Sequence, residues 1–340
     1  MLIRINKKPE KPKVDDKPFK PFDNMLIGKV YNMALFSTSI EYPEDGDPNK
    51  AVLTITFNPP QGDQSTISLP LVPDTSDLDI FQVNMHSSAT PSYNMGPAYN
   101  DWFSNHFGFS VVFVYLGQYQ RQVLFSTTNS KPASESWFSS ITNAIPPSIT
   151  GLITGTQENI AFNDVAPYLI ASETSLKNVS DRLPDGDEMD IIKFRPNIIV
   201  TGAAEAWEED YWAEMKIGNA TIRLLHNCVR CMSINVDYQT GAIGTGPSGK
   251  ILQSLQKDRR VDTGFKNSPV FGRYSFLSAG SEGKTISVGD EVVITKRNKE
   301  RTVFGEQAAS AFYAKQSTNC LQIGQVWAAA NSLYHFLQLY

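Results

Sequence analysis

The chain has 340 residues, 41% of them hydrophobic and 19% charged, with a net charge of −5 at neutral pH. That length exceeds what one compact core serves, so one large or two medium domains are expected. The acidic balance, without a basic patch interleaved with aromatics, gives no support for nucleic-acid binding. Three cysteines in so long a chain argue against a disulfide framework and for a reducing, cytoplasmic compartment. The sequons at Asn178 and Asn219 then read as chance matches.

From the start, Met1-Leu2-Ile3-Arg4-Ile5 alternates and reads as a strand, far too short for a signal-peptide core. The lysines between Lys7 and Lys20 alternate with prolines and aspartates, as a solvated loop would. Residues 51–57 and 66–71 read as neighbouring strands across the turn cluster 58–62. Residues 97–107 place Tyr99, Trp102, Phe103 and His106 at helical spacing, the pattern of a buried helix face, and Gly108 ends the helix before a strand at 111–115. Residues 126–155, rich in Ser, Thr, Pro and Gly, suit a linker or surface loop.

Beyond that stretch, residues 168–171 form a short apolar strand, and Ser172 is placed to cap a helix opening at Glu173. Another strand comes at 197–202. Short strands and turns without a regular strand–helix alternation predict a mixed, mainly β chain built on a β-barrel, with helices as additions. The expected division is 1–125, a smaller β-rich domain; 126–155, the linker; 156–304, the barrel domain; and 305–340, a tail. No apolar run is long enough to span a bilayer. The uncharged stretch from Cys320 to Tyr340 is broken by Gln322, Gln325, Asn331, His335 and Gln338, which favours an amphipathic helix.

Two of the three cysteines lie together in Cys228-Val229-Arg230-Cys231. A thiol at the mouth of a strand, beside a fixed positive charge, is well placed to act as thiolate, the form that ligates metal or attacks an electrophile. Structural zinc needs about four ligands, and only Cys320, His86, His106, His226 and His335 remain to supply them. A redox pair of the thioredoxin kind would open a helix, whereas Met232 to Tyr238 favours extended chain. Two packed, inert thiols are the third reading. Glu209 and Asp210 read as a solvated or helix-starting acidic pair.

Several segments align in one order: residues 169–176, Phe194-Arg195-Pro196-Asn197-Ile198, Glu209-Asp210-Tyr211-Trp212 and Ile217-Gly218. The cysteine pair comes next with Val236-Asp237 and Thr240-Gly241, then residues 268–274 and 286–292. This ordered set resembles the MOSC domain of molybdenum-cofactor proteins, and within it the mitochondrial amidoxime-reducing component family. The likeness is strong over about 160–304 and weaker over about 30–125, as the family's N-terminal β-barrel domain. By this resemblance, Cys231 is the protein ligand to molybdenum. Arg195 and Asn197 contact the pterin and its phosphate, Arg230 lies beside the cofactor, and Ser172 and Thr174 sit where a strand-to-helix turn approaches it. A soft thiolate suits such a metal, and guanidinium donors suit phosphate oxygens. Asp237 and Gly241 read as turn-shaping residues, His226 as structural, and Cys228 as a packed thiol.

The implied function is a molybdenum-cofactor (molybdopterin) oxidoreductase that reduces N-hydroxylated or N-oxygenated small molecules. The resemblance also implies external haem or flavin proteins as the electron source, which fits the lack of a nucleotide or flavin fingerprint. The chain begins after the family's Tyr-Pro-Xaa-Lys-Ser-type loop, so those phosphate contacts are expected to be absent. Mitochondrial association would apply only with a longer N-terminus. A module carrying cofactor or persulfide sulfur without redox turnover, or an inactive truncated paralogue, are the alternative readings.

Overall fold

The structure, a computed structural model, describes residues 1–7, 20–85, 88–123, 159–184, 187–304 and the backbone of 337–338. The linker expected at 126–155, nearly all of the 305–340 tail and most of the lysine-rich segment 7–20 lie outside these residues.

The first half carries β1 (Leu2–Ile5), β2 (Phe22–Asn24), β3 (Phe36–Glu41), β4 (Val52–Phe57), β5 (Ser65–Pro70), β6 (Ile80–Met85) and β7 (Ser88–Asn94). Helix α1 (Pro97–Phe107), β8 (Val111–Tyr115) and β9 (Arg121–Gln122) complete it. One sheet runs β2-β1-β8-β7-β6 and a second β3-β4-β5. The two predicted neighbours are β4 and β5, paired antiparallel with Leu53 opposite Leu69. As its spacing predicts, α1 buries Phe103 and Phe107, which pack with Phe36, Leu53, Ile55, Leu69 and Phe113. Gly108 closes the helix at φ +73°, a left-handed conformation open to glycine without the cost of a Cβ.

The second half contains β10 (Asn159–Ile160), β11 (Tyr168–Ser172), α2 (Glu173–Ser180), β12 (Ile198–Val200), β13 (Trp212–Ile217) and β14 (Ala220–Val229). It continues through β15 (Val236–Asp237), β16 (Ala242–Ile243), α3 (Ile251–Leu255), β17 (Val270–Leu277), β18 (Thr285–Ile286) and β19 (Val292–Arg297), with β20 (Leu337–Gln338) pairing to β18. The principal sheet is curled and six-stranded, in the order β12-β11-β17-β14-β13-β19. Only β11 and β12 run parallel. Apolar clusters form on both sides of it: Ile170, Trp212, Met215, Ile222 and Leu224 in one, and Leu169, Val229, Val270, Tyr274 and Phe276 in the other. The molecule is thus mainly β, with few helices.

Strand β14 slips register against β17 between Leu224 and His226, and again between Asn227 and Val229. Such bulges bend a strand and re-aim the chain beyond it. Past the second slip the ladder ends, with Arg230 N–H donating to the Pro269 carbonyl at 2.8 Å, and the chain turns out at Cys231. Gly272 lies across from this point at φ +80°. A Cβ there would meet the Ile170 carbonyl oxygen at 2.8 Å, so only glycine fits without displacement.

Two expectations are corrected here. Residues 232–235 form a 3₁₀ turn, and extended chain resumes only at β15. Ile234 is fully buried with Ile251, Leu255, Phe194 and Phe271, and Asn235 Oδ1 accepts the Leu252 N–H at 2.9 Å. Packing against α3 overrides the local β preference. Glu209 and Asp210 lie inside a 3₁₀ turn that opens at Glu208, and both are fully buried and not solvated. Asp210 receives Arg259 Nη2 at 2.9 Å and Arg301 Nε at 2.7 Å, and the Arg259 guanidinium stacks 3.9 Å over the Trp207 ring.

Candidate functional site

Cys231 begins where the bulged strand β14 gives out, and its side chain is half-buried on the wall of a cavity of about 1250 Å³. Its Sγ lies 3.3 Å from Ser233 Oγ. The turn after β2 packs against the thiol from the other half of the chain: a Cβ added to Gly28 would stand 3.6 Å from Sγ and from Ser233 N. Cys228 lines the same cavity but is 2% exposed, and burial pushes its thiol pKa up. Beside it, the Tyr274 hydroxyl donates to Asp164 Oδ2 at 3.0 Å, and burial raises that phenol well above its ordinary range. Of the pair, Cys231 is the thiol with access.

Arg195 enters the same cavity on the segment that precedes β12. Its backbone sits at φ +55°, in the left-handed region that costs an L-residue about 1–2 kcal/mol. The preceding 3₁₀ turn holds it there, its N–H donating to the Ile191 and Ile192 carbonyls at 3.2 Å, while the Pro196 ring restricts the backbone at the next position. Burial pushes the guanidinium pKa down to about 10, with Tyr238, Asp164 and Cys231 opposing the shift and Arg230 adding to it. The side chain is therefore still a cation at neutral pH, within electrostatic reach of the thiol. Strained, charged residues on a cavity wall are a recurring mark of functional sites.

Asn197 and Arg230 also border the cavity, with part of their hydrogen-bonding capacity committed to the fold. Asn197 Oδ1 accepts the Leu169 N–H at 2.8 Å, and its own N–H returns to the Leu169 carbonyl at 2.8 Å. It thereby locks the entry of β11 to that of β12. Arg230 donates from Nε and Nη2 to the Phe271 carbonyl, at 3.0 and 2.7 Å, and from Nη1 to the Phe194 carbonyl at 2.8 Å. Its guanidinium carbon lies 5.5 and 5.6 Å from the centroids of the Phe194 and Phe271 rings.

Ser172 and Thr174 do not join this group. Ser172 stands at the N-cap position of α2 but makes no side-chain cap bond, and its fully buried hydroxyl has no hydrogen-bond partner among the described residues. Thr174 donates to the Ala203 carbonyl at 2.8 Å. Neither borders the cavity. Asp237 Oδ1 accepts the Gln239 N–H at 2.8 Å and Gly241 turns at φ +63°, so both shape the turn after β15. His226 is buried and stacks on Phe304 at 4.8 Å.

Sequence reasoning missed Gly28, Ser233 and Tyr238. The first is contributed by a distant turn, and no local pattern announces it. Tyr238 lies within electrostatic reach of Arg195, Asp190 and Cys231. Among the described residues, no three His, Cys, Asp or Glu side chains gather as a metal-ligand group.

Residues 157–293 match the MOSC domain family. Over these residues the chain is similar to MOSC domains. Similar curated proteins include mitochondrial amidoxime reducing component 2 of Bos taurus, 38% identical over 135 residues, which are 39% of this chain and 38% of that protein. Mitochondrial amidoxime-reducing component 1 of Homo sapiens is 33% identical over 142 residues, 41% of this chain and 40% of its own length. The likeness thus spans about two fifths of each relative, and Cys231, Arg195, Asn197 and Arg230 lie within the residues that match the MOSC family. No helix among the described residues is long and apolar enough to cross a membrane.

Proposed function

We propose that this MOSC protein holds a molybdenum cofactor through Cys231 and reduces N-hydroxylated or otherwise N-oxygenated small molecules with electrons from an external haem or flavin protein. The observation that carries the reading is the juxtaposition of one accessible thiol with the cation Arg195, held in a strained backbone, on the wall of a large cavity. The donor set fits the group. A thiolate is a soft anionic ligand suited to a metal that brings most of its own ligands, and no protein cluster of three ligands is needed. Once bound, the cofactor would supply two-electron oxygen-transfer chemistry. The relatives named above are amidoxime-reducing components, which supports the substrate class proposed here.

The chain's own residues have separable tasks in this reading. Cys231 provides the metal ligand. Arg195 offsets negative charge on the pterin phosphate, and guanidinium–phosphate bonds are among the stronger charge-assisted ones. Asn197 presents an amide edge from an exposed position, its oxygen already fixed by Leu169. Arg230 acts chiefly as the brace that holds Phe194 and Phe271, and so positions the residues on either side of it.

The test is reductive turnover of benzamidoxime by protein from a cofactor-competent host, with a reduced viologen as artificial donor. Turnover that disappears in Cys231→Ser supports the proposal. A molybdenum-loaded protein that reduces no amidoxime, hydroxylamine or N-oxide would reject the reductase assignment.

A further inference from the structure

Ser233 stands two residues beyond Cys231, inside the 3₁₀ turn Met232–Asn235, and both side chains border the same cavity. The turn is fastened on each side of the serine. Ile234 is buried with Phe194 and Phe271, and its N–H donates to the Cys231 carbonyl at 3.4 Å; Asn235 Oδ1 accepts the Leu252 N–H at 2.9 Å. Gly28 closes in on both residues, a Cβ there falling 3.6 Å from Cys231 Sγ and 4.0 Å from Ser233 Cβ. The Ser233 hydroxyl is thereby set 3.3 Å from the sulfur. Among the described residues this is the one hydrogen bond of the hydroxyl and the one hydrogen bond of the thiol.

A neutral thiol could give or take the proton in that contact. A sulfur that ligates metal is a thiolate and has none to give, so the hydroxyl is the donor. We infer that Ser233 is a positioning residue for the metal-ligating sulfur: its O–H donates to Cys231 Sγ, draws electron density from it and raises the reduction potential of the metal held there. The inference rests on the cofactor reading proposed above. Hydrogen bonds to a ligating sulfur set potentials in the same sense in copper–thiolate and iron–sulfur centres, and losing a group that orients a metal ligand typically changes affinity or activity by about 10- to 100-fold. The consequence for function is easier entry of electrons from an external donor. A purely packing role would leave the hydroxyl without a task, since a methyl group at residue 233 would fill nearly the same space.

The experiment is a redox titration of the molybdenum-loaded protein, followed by its Mo(V) electron paramagnetic resonance signal, on the parent, Ser233→Ala and Ser233→Thr, with molybdenum content measured in each. Ser233→Ala should keep its molybdenum within about two-fold of the parent. Its one-electron equilibrium should shift about ten-fold towards the oxidised form, a fall of about 59 mV, with altered g-values in the Mo(V) signal. Ser233→Thr keeps the hydroxyl and should return both towards the parent. Equal potentials and signals in the parent and Ser233→Ala, or a shift that Ser233→Thr shares in full, would overturn the role of Ser233 and leave the cofactor reading standing. A parent protein that takes up no molybdenum would reject the cofactor reading, and this role with it.

Discussion

Gly28 rests against Cys231, with a Cβ at residue 28 falling 3.6 Å from the thiol sulfur. The contact joins the turn after β2 to the end of β14, so the N-terminal half of the chain sets the clearance over the candidate metal ligand. An alanine methyl at 3.6 Å is an ordinary van der Waals contact, whereas the branches of a valine would crowd the sulfur. Gly28→Ala should leave the rate of Cys231 alkylation by iodoacetamide within about two-fold of the parent, and Gly28→Val should slow it ten-fold or more. Equal rates for all three would show that residue 28 does not screen the thiol.

Arg195 combines a charge that the site uses with a backbone conformation that the fold pays for. Arg195→Gly removes the left-handed strain, about 1–2 kcal/mol, and the burial cost of the guanidinium, against the extra entropy of glycine in the unfolded chain. Chemical denaturation should give a stability equal to the parent or higher by about 1 kcal/mol, while retained molybdenum falls at least ten-fold. A clear loss of stability in Arg195→Gly would mean that this side chain serves the fold first.

Glu209 carries a pH dependence of defined sign. Burial raises its carboxyl pKa to about 7, with Asp210 adding to the shift and the Ser175 hydroxyl, 2.7 Å from Oε2, and Arg259 opposing it. The folded state therefore holds this proton more tightly than the unfolded chain, whose ordinary value is 4.5. Stability from this group is complete below about pH 4.5 and is lost as pH rises towards 7, by an amount on the order of a few kcal/mol. Glu209→Gln should be more stable than the parent at pH 8 and should flatten the profile between those values. Parallel profiles for the two proteins would refute the assignment.

Asp210 is fully buried and receives the buried Arg259 as well as Arg301, which is 36% exposed, so removing its charge strands Arg259. Asp210→Asn should cost about 3–5 kcal/mol in denaturant unfolding at neutral pH. A loss below 1 kcal/mol would show that the arginines find other partners.

What the sequence made legible divides along a physical line. Strands such as β4, β5 and β8 and the helix α1 were readable because alternation or helical spacing of apolar residues records which face is buried. The Cys228–Cys231 pair, Arg195 and Asn197 were readable as an ordered set and share one cavity. The 3₁₀ turn at Met232–Asn235 was hidden because Ile234 is claimed by α3, a contact with no local signature. The burial of Glu209 and Asp210 was hidden for the same reason, since their partners Ser175, Arg259 and Arg301 come from three other segments. The strain at Arg195 left no mark beyond the adjoining proline, and Ser172, read as a cap near a cofactor, is sealed inside the barrel domain.

Whether Cys231 binds a molybdenum cofactor is decided most directly by elemental mass spectrometry of protein from a cofactor-competent host. Near-stoichiometric molybdenum is expected in the parent and almost none in Cys231→Ser, with Cys228→Ser close to the parent. Equal molybdenum in the parent and in Cys231→Ser, or none in either, would contradict a molybdenum site at this thiol.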